Sequence, residues 1–453
     1  MNFFSFSFKQ HVRRIADRLT FTHKIADAKR HILFGVPVFL LLIVSGALSG
    51  CGAEHVNSSD IIDNPTSAII VVPGYYGTRL LRSSDEHLIW ISASEALFGN
   101  QPLTLPVPGL ELTNAIDLRP DLILDQVPIV PYIYEVDVYG PLIDILRSET
   151  DRDMEVIAFS YDWRKDLMDS VIRLDAMIQQ LQAKGTHDIA LVAHSLGGLI
   201  VSYYLRYGTQ EMGTAVETWE GTGNITRVIM AGVPFLGVMN SLRNMNFGVT
   251  VKFNTSMLTA EAYSSFPSSY YTLPFLDTDQ LLSPTLEPLT QMIRNPENWK
   301  QSGWGLLSKP QNMSAEIMRR RADYTSFWLR RSQQFLGLLR TPRQSSTPNR
   351  LPLLYLYAKG RPTLANGVWM KKNGQGPNSL YFDNGNPEKL PRAIDPAILY
   401  EDGDETVTVR SALLPAAYQE SFSTTVREYD VGHTEFVTDT QTLQDMISFL
   451  NNP

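Results

Sequence analysis

The stretch Ala190-Leu191-Val192-Ala193-His194-Ser195-Leu196-Gly197-Gly198-Leu199 decides the reading of this 453-residue chain. Asp188 to Ala193 is a short, nearly continuous apolar run, as a strand buried on both faces requires. Leu196 to Tyr207 continues as an apolar helix without proline. Ser195 therefore falls on a sharp strand-to-helix turn. Such a turn is strained, and the positions two before and two after the serine must let the two backbones pass closely. Those positions are Ala193 and Gly197, both small. A serine that merely caps a helix would give a similar pentapeptide, so the surroundings have to decide.

Working outward, apolar runs alternate with helical patterns. Ala68 to Pro73, Met154 to Phe159, Ile189 to Ala193, Ile225 to Ala231 and Leu351 to Tyr357 read as buried strands. Leu167, Val171, Leu174, Ile178 and Leu181 recur at helical spacing, and Lys184-Gly185 ends that helix. Strands separated by helices predict an α/β architecture, a doubly wound and mostly parallel sheet with ligands at the carboxyl ends of its strands.

A nucleophilic serine needs a base and an acid. After Ser195 the chain offers one histidine, His433 in Val431-Gly432-His433-Thr434. The acid is expected between them on a loop after a strand, and Ile398-Leu399-Tyr400 followed by Glu401-Asp402-Gly403-Asp404-Glu405-Thr406-Val407 is the densest such site. Asp404 and Asp402 are both candidates there. The order serine, acid, histidine resembles that of α/β-hydrolases. The imidazole would take the serine proton and return it to the leaving group, with the carboxylate fixing its tautomer. His194 cannot be the base, because adjacent side chains diverge on a tight turn. The first strand ends in Pro73-Gly74-Tyr75-Tyr76-Gly77-Thr78, a glycine-flanked turn suited to an oxyanion hole. The expected backbone donors are Tyr76 and Leu196. No metal-ligand spacing and no phosphate loop occurs, so neither metal nor cofactor is expected.

Five motifs occur in an order that resembles lecithin:cholesterol acyltransferase and its relatives, lysosomal phospholipase A2 and phospholipid:diacylglycerol acyltransferase. They are the Pro73–Leu80 turn, Tyr161-Asp162-Trp163-Arg164, the elbow, Ala231-Gly232-Val233-Pro234-Phe235-Leu236-Gly237, and Tyr400–Val407. The resemblance covers roughly residues 67–240 and 395–450. It implies the α/β-hydrolase fold, an acyl-serine intermediate, a lipid substrate, and catalytic roles for Ser195, Asp404 and His433. Three departures stand out: Ala193 where many members have glycine, Glu405 where glycine or aspartate is common, and no cysteines to staple the lid, which would then be held by packing alone. Asp162 and Arg164 fit a buried ion pair shaping a loop, as well as a place beside the site.

Residues 238–349 form an insertion, first aromatic and proline-punctuated, then a basic amphipathic helix from Ala315 to Leu339. It reads either as a fixed cap or as a lipid-sensing lid. Both place an apolar cover above Ser195, which suits acyl chains.

The N-terminus is a separate object. Seven Lys/Arg in residues 1–30 precede the apolar stretch His31 to Leu48, as in an export signal. The stretch ends in Leu48-Ser49-Gly50-Cys51, which resembles the lipobox of bacterial lipoproteins, and Cys51 is the single cysteine of the chain. A transmembrane anchor ending in a chance cysteine is the plainer alternative. The expected organisation is a signal over 1–50, lipidation at Cys51, a polar tether over 51–66, and a catalytic domain over 67–453 at the bacterial outer membrane. Removing residues 1–50 takes seven of 39 basic and two of 47 acidic side chains, leaving 32 against 45, a formal −13. Such a chain is a poor partner for nucleic acid or anionic lipid headgroups. The sequence thus predicts a lipid-anchored lipase, phospholipase or O-acyltransferase acting at a membrane surface. The alternative is a non-catalytic lipid-binding or structural surface lipoprotein that keeps the fold.

Overall fold

The computed structural model describes residues 65–452 apart from 131–133, 151–153, 252–253, 276–279, 309–312, 346–349, 372–377 and 383–389. The signal, Cys51 and nearly all of the tether lie outside the described residues.

Six strands form one parallel sheet: β1 (Ser67–Val72), β2 (Met154–Ala158), β3 (Asp188–His194), β4 (Arg227–Ala231), β5 (Pro352–Ala358) and β6 (Ser423–Tyr429). Their spatial order is β2-β1-β3-β4-β5-β6, and every neighbouring pair is parallel. Side chains alternate across a strand, so β1 splits its apolar run between two helical layers. Ile69 and Val71, with Val192, Ile229 and Leu354, pack on helices α1 (Gly140–Glu149) and, at the far end of the chain, Thr440–Asn451, through Leu142, Leu146, Leu443 and Met446. The opposite face carries α2 (Leu167–Ala183) and α3 (Leu196–Tyr207), which pack on each other. All twelve residues of α3 are buried, which matches its apolar character on every side. This is the α/β-hydrolase architecture the sequence predicts.

The chain leaves β1 toward β2 on one side and returns to β3 on the other. The carboxyl ends of β1 and β3 therefore flank the switch point where open α/β sheets bind ligands. The sixth strand is an addition to the sequence reading, as is a three-stranded antiparallel sheet of Thr78–Arg82, Leu88–Trp90 and Leu118–Ile123.

The insertion folds into short helices Met239–Phe247, Ala260–Ser265 and Pro267–Tyr271, a hairpin of Val249–Val251 with Asn254–Leu258, and the long helix Ala315–Arg340, capped by the Ser314 side chain. That helix buries Ala322, Thr325, Leu329, Ser332, Phe335, Leu336 and Leu339 at spacings of three and four. Packing is not its sole attachment, contrary to expectation. Arg331 pairs with Asp166 at 2.9 Å and Arg321 with Glu261 at 2.8 Å, and Tyr324 Oη donates to the Ser265 carbonyl at 2.6 Å. Long polar side chains replace the missing disulfides because each reaches backbone or carboxylate groups in a neighbouring element.

Candidate active site

Ser195 has φ 54° and ψ −122°, a strained conformation for a residue with a side chain. Its N–H donates to the Ala231 carbonyl at 2.8 Å, and its own carbonyl accepts from Gly198 N–H at 2.9 Å, so the turn is bonded on both sides. The glycines after it are sterically required. A Cβ on Gly197 would stand 2.3 Å from the Val72 carbonyl oxygen, and one on Gly198 2.2 Å from a Val233 methyl. Gly197→Ala is therefore expected to destabilise the fold by about 2 kcal/mol or more, because backbone cannot yield. Gly337, in the last turn of the helix Ala315–Arg340 with nothing within 4 Å of its would-be Cβ, should gain roughly 0.5–1 kcal/mol on conversion to alanine. Urea unfolding of the two variants checks both signs.

His433 Nε2 lies 2.8 Å from Ser195 Oγ, and its Nδ1 lies 2.8 Å from Asp404 Oδ2. The backbone reinforces this contact, since His433 N–H donates to the Asp404 carbonyl at 2.8 Å. Asp404 Oδ1 accepts from Thr406 N–H at 2.9 Å and Val407 N–H at 2.6 Å. A carboxylate fed by two amides leaves Oδ2 to receive Nδ1–H, so Nε2 presents its lone pair to the serine hydroxyl. All three groups are buried: Ser195 is 8% exposed, His433 7% and Asp404 1%.

Asp402, the competing acid, faces elsewhere and accepts from Gly360 N–H. The acid leaves a side ribbon, Tyr400–Gly403 paired with Arg361–Leu364, rather than the central sheet. Arg361 ties this ribbon to the histidine loop: its Nε meets Asp430 at 2.8 Å, and its terminal nitrogens lie 3.7 Å from Glu405 and 3.8 Å from Glu435. Burial pushes the Glu405 carboxyl up, and Arg361 opposes that shift. The unusual residue at 405 is thus accommodated by a cation that no sequence pattern singles out.

The turn after β1 backs directly onto the nucleophile. A Cβ on Gly74 would stand 2.8 Å from Ser195 Cβ, the Gly77 N–H closes the turn on the Gly74 carbonyl at 3.1 Å, and Tyr76 sits at φ 69°. Leu196 is the first residue of α3, where the helix supplies no carbonyl for its N–H. Leu196 therefore adjoins Ser195 directly, and Tyr76 lies two residues beyond the Gly74 contact in the same turn.

The Tyr161–Arg164 motif braces this turn. Tyr161 Oη donates to the Pro73 carbonyl at 2.8 Å and Trp163 Nε1 to the Thr78 carbonyl at 3.1 Å. Arg164, wholly buried, pairs with Asp162 at 2.8 Å and donates to the Leu103 carbonyl at 3.0 Å. Both readings of the motif are found together: Asp162 and Arg164 form the buried ion pair, and Tyr161 stands beside the site. Tyr75 links the turn to the insertion, with its hydroxyl 2.8 Å from Ser269 Oγ and its ring stacked 5.8 Å from that of Tyr263.

His194 is a second buried histidine at the site. Burial, and then the neighbouring His433, hold its pKa down to about 3. Its partners are Tyr139 Oη and the His433 carbonyl. No group of three or more His, Cys, Asp or Glu side chains among the described residues could hold a metal ion.

The family model for lecithin:cholesterol acyltransferase matches residues 128–334, which include Ser195 and most of the insertion. An uncharacterised protein of Saccharomyces cerevisiae is 26% identical over 239 residues, covering 52% of this chain and 33% of that protein. The lysosomal phospholipase A and acyltransferase of Rattus norvegicus is 24% identical over 276 residues, covering 59% and 54%. The chain thus spans between a third and about half the length of these curated relatives. A chain of the Tle4–Tli4 complex matches with a TM-score of 0.48 at 11% identity, covering 85% of this chain and 98% of its own length. Residues 128–334 thus match the family model for lecithin:cholesterol acyltransferase, within a fold of the α/β-hydrolase type.

Proposed function

We propose that the protein is a serine esterase that cleaves acyl esters of glycerolipids or phospholipids through an acyl-serine intermediate, with transfer to an alcohol as a minor activity. The observation that carries the reading is the continuous bonded line from Ser195 Oγ through the His433 imidazole to Asp404, set on a strained elbow. Ser195 Oγ attacks the acyl carbonyl while its proton passes to His433 Nε2, and the oxyanion that forms faces the Tyr76 and Leu196 amides. Collapse of the intermediate expels the alcohol, which takes the proton from Nε2. Water then attacks the acyl-serine, giving a proton to the same nitrogen, and collapse releases the acid as Ser195 Oγ takes that proton back. Similarity to a phospholipase A and acyltransferase supports a lipid acyl donor.

Hydrolysis is the default outcome because water is always present. Transfer needs a site that orients an alcohol and excludes water. The test supplies a radiolabelled phospholipid acyl donor with a long-chain alcohol or sterol in the same micelles, and a separate sample of the protein is labelled with a fluorophosphonate to ask whether Ser195 reacts. Free fatty acid should dominate. Acyl product found mainly on the acceptor overturns the preference for hydrolysis, and an unlabelled Ser195 with no ester cleavage overturns the enzyme itself.

The Leu48–Cys51 sequence supports a lipid anchor at Cys51 and placement in the bacterial outer membrane. Each buried methylene of such an anchor contributes about 0.8 kcal/mol, so acyl chains on this one residue suffice to hold the protein. Cys51→Ser should leave an unprocessed precursor. Mass spectrometry that finds an unmodified Cys51 at the mature N-terminus would refute the anchor.

A further inference from the structure

We propose that Tyr139 and His194 are positioning residues of this active site, forming a buried, uncharged hydrogen-bond chain that holds the oxyanion turn and the catalytic histidine at a fixed separation. The inference rests on the esterase reading above. The chain has three links. Gly74 N–H lies 2.7 Å from Tyr139 Oη, Tyr139 Oη lies 2.7 Å from His194 Nδ1, and His194 Nε2 lies 2.9 Å from the His433 carbonyl oxygen. Tyr139 precedes α1, His194 ends β3, Gly74 follows β1 and His433 follows β6, so the links join four separate elements. Tyr139 is 2% exposed and His194 6%.

The directions of these bonds follow from donor and acceptor chemistry. The Gly74 amide can only donate and the His433 carbonyl can only accept. His194 Nε2 therefore carries a hydrogen. In the neutral ring Nδ1 is then the acceptor, and it receives the hydrogen of Tyr139 Oη, which itself accepts from Gly74. Every group is satisfied and none is charged. The alternative with both ring nitrogens protonated puts a cation in a site without a carboxylate partner. It would also stand beside His433, whose ring centroid is 4.9 Å away and which must itself become cationic during acyl transfer.

The consequence lies in what the two ends touch. One end is Gly74, immediately before Tyr75 and Tyr76 in the turn that backs onto Ser195 Cβ. The other is the His433 backbone, whose N–H is already held by the Asp404 carbonyl. His433 is thus pinned at both its amide and its carbonyl, and the turn is tied to the same frame. Losing Tyr139 Oη frees Gly74 N–H and strands Nδ1, so the turn relaxes relative to the base. Groups held for the transition state act on kcat, while ground-state binding of the acyl chain is made elsewhere.

The test compares wild type, Tyr139→Phe, His194→Gln and the double variant on a soluble p-nitrophenyl ester, with active sites counted by end-point fluorophosphonate titration. Tyr139→Phe should lower kcat per titrated site by about 10²-fold, the scale of a misplaced oxyanion donor, with KM within about twofold. Affinity for a trifluoromethyl ketone, which places an oxyanion in the hole, should fall in step with kcat/KM. His194→Gln, which keeps a donor for the His433 carbonyl but has no acceptor where Nδ1 stood against Tyr139, should lose a similar factor. The double variant should be little worse than either single one, because the two residues act as one unit. Should Tyr139→Phe fail to fold, the same readouts on His194→Gln decide. Wild-type kcat per site, an unmoved inhibitor constant, or multiplicative losses in the double variant overturn the proposal. A wild type that neither cleaves esters nor titrates overturns the esterase reading instead.

Discussion

Ser195→Ala is expected to lower kcat for ester cleavage by at least about 10⁴-fold while leaving the thermal midpoint nearly unchanged. The substitution removes one oxygen from a side chain whose backbone bonds to Ala231 and Gly198 are untouched, so the elbow survives and the chemistry does not. His433→Ala should cost a comparable factor. The two losses should not multiply, since neither the nucleophile nor the base has a task without the other. Asp404→Asn is the more discriminating change. Its Oδ1 can still accept from Thr406 and Val407, which forces the amide NH₂ toward His433 Nδ1. Two donors then face each other, the imidazole turns to the other tautomer, and its Nε2 hydrogen points at Ser195. A loss of roughly 10³–10⁴ is expected on the pattern of other triads. Asp402→Asn should stay within a few-fold of wild type, because that side chain serves Gly360 and not His433. Steady-state kinetics of the four variants check the set, and full activity in Asp404→Asn would move the acid elsewhere.

The three side chains of the bonded line Ser195, His433 and Asp404 could be found in the sequence because covalent chemistry restricts residue type so severely. One histidine follows Ser195, and one dense acidic segment lies between them. The parts that hold them are hidden for a physical reason. Tyr139 meets His194 across 55 residues and His194 meets His433 across 239, and a hydrogen bond leaves no periodicity at such separations. Arg361 is likewise one of many arginines until the ribbon carries it between the acid and histidine loops.

The fold divides along similar lines. Strands β1, β3, β4 and β5 announce themselves because a strand covered on both faces must be apolar throughout. The edge strand β6, Ser-Thr-Thr-Val-Arg-Glu-Tyr over 423–429, is mostly exposed, so nothing in its composition separates it from a loop. The sheet built from residues 78–123 contains proline and irregular register, which defeats the period-two pattern. The insertion's long helix was legible, and it runs one residue past the predicted end. Its polar attachments were not, since a long arginine reads the same whether it is solvated or buried.

Arg206 is the attachment whose loss should cost the most stability. It lies in the last turn of α3, fully buried, with its guanidinium shared between Glu217 and four carbonyls, those of Leu338, Leu339, Thr341 and Pro342. Those carbonyls are at and just beyond the end of helix Ala315–Arg340, where the helix itself offers no donors. Glu217 also accepts from Trp219 Nε1 and from the Gln344 and Ser345 amides, so one buried carboxylate and one buried guanidinium join α3, the loop after it and the insertion's long helix. Arg206→Met leaves that carboxylate without its cation and takes the guanidinium from the Leu339, Thr341 and Pro342 carbonyls, while Leu338 keeps the Tyr207 hydroxyl as a donor. The expected destabilisation is about 3–5 kcal/mol, the range for a buried pair broken on one side. Arg206→Lys should recover little of it, because a point charge cannot reach Glu217 and the helix end together. The effect should be confined to stability. Arg206 stands eleven residues along α3 from Ser195, about 16 Å at the helical rise, so kcat per folded molecule should hold near wild type at low temperature. Urea unfolding followed by tryptophan emission, with kinetics on the same samples, separates the two. A loss under about 1 kcal/mol would mean that water replaces the guanidinium at the helix end, and that the insertion is held mainly by its apolar face after all.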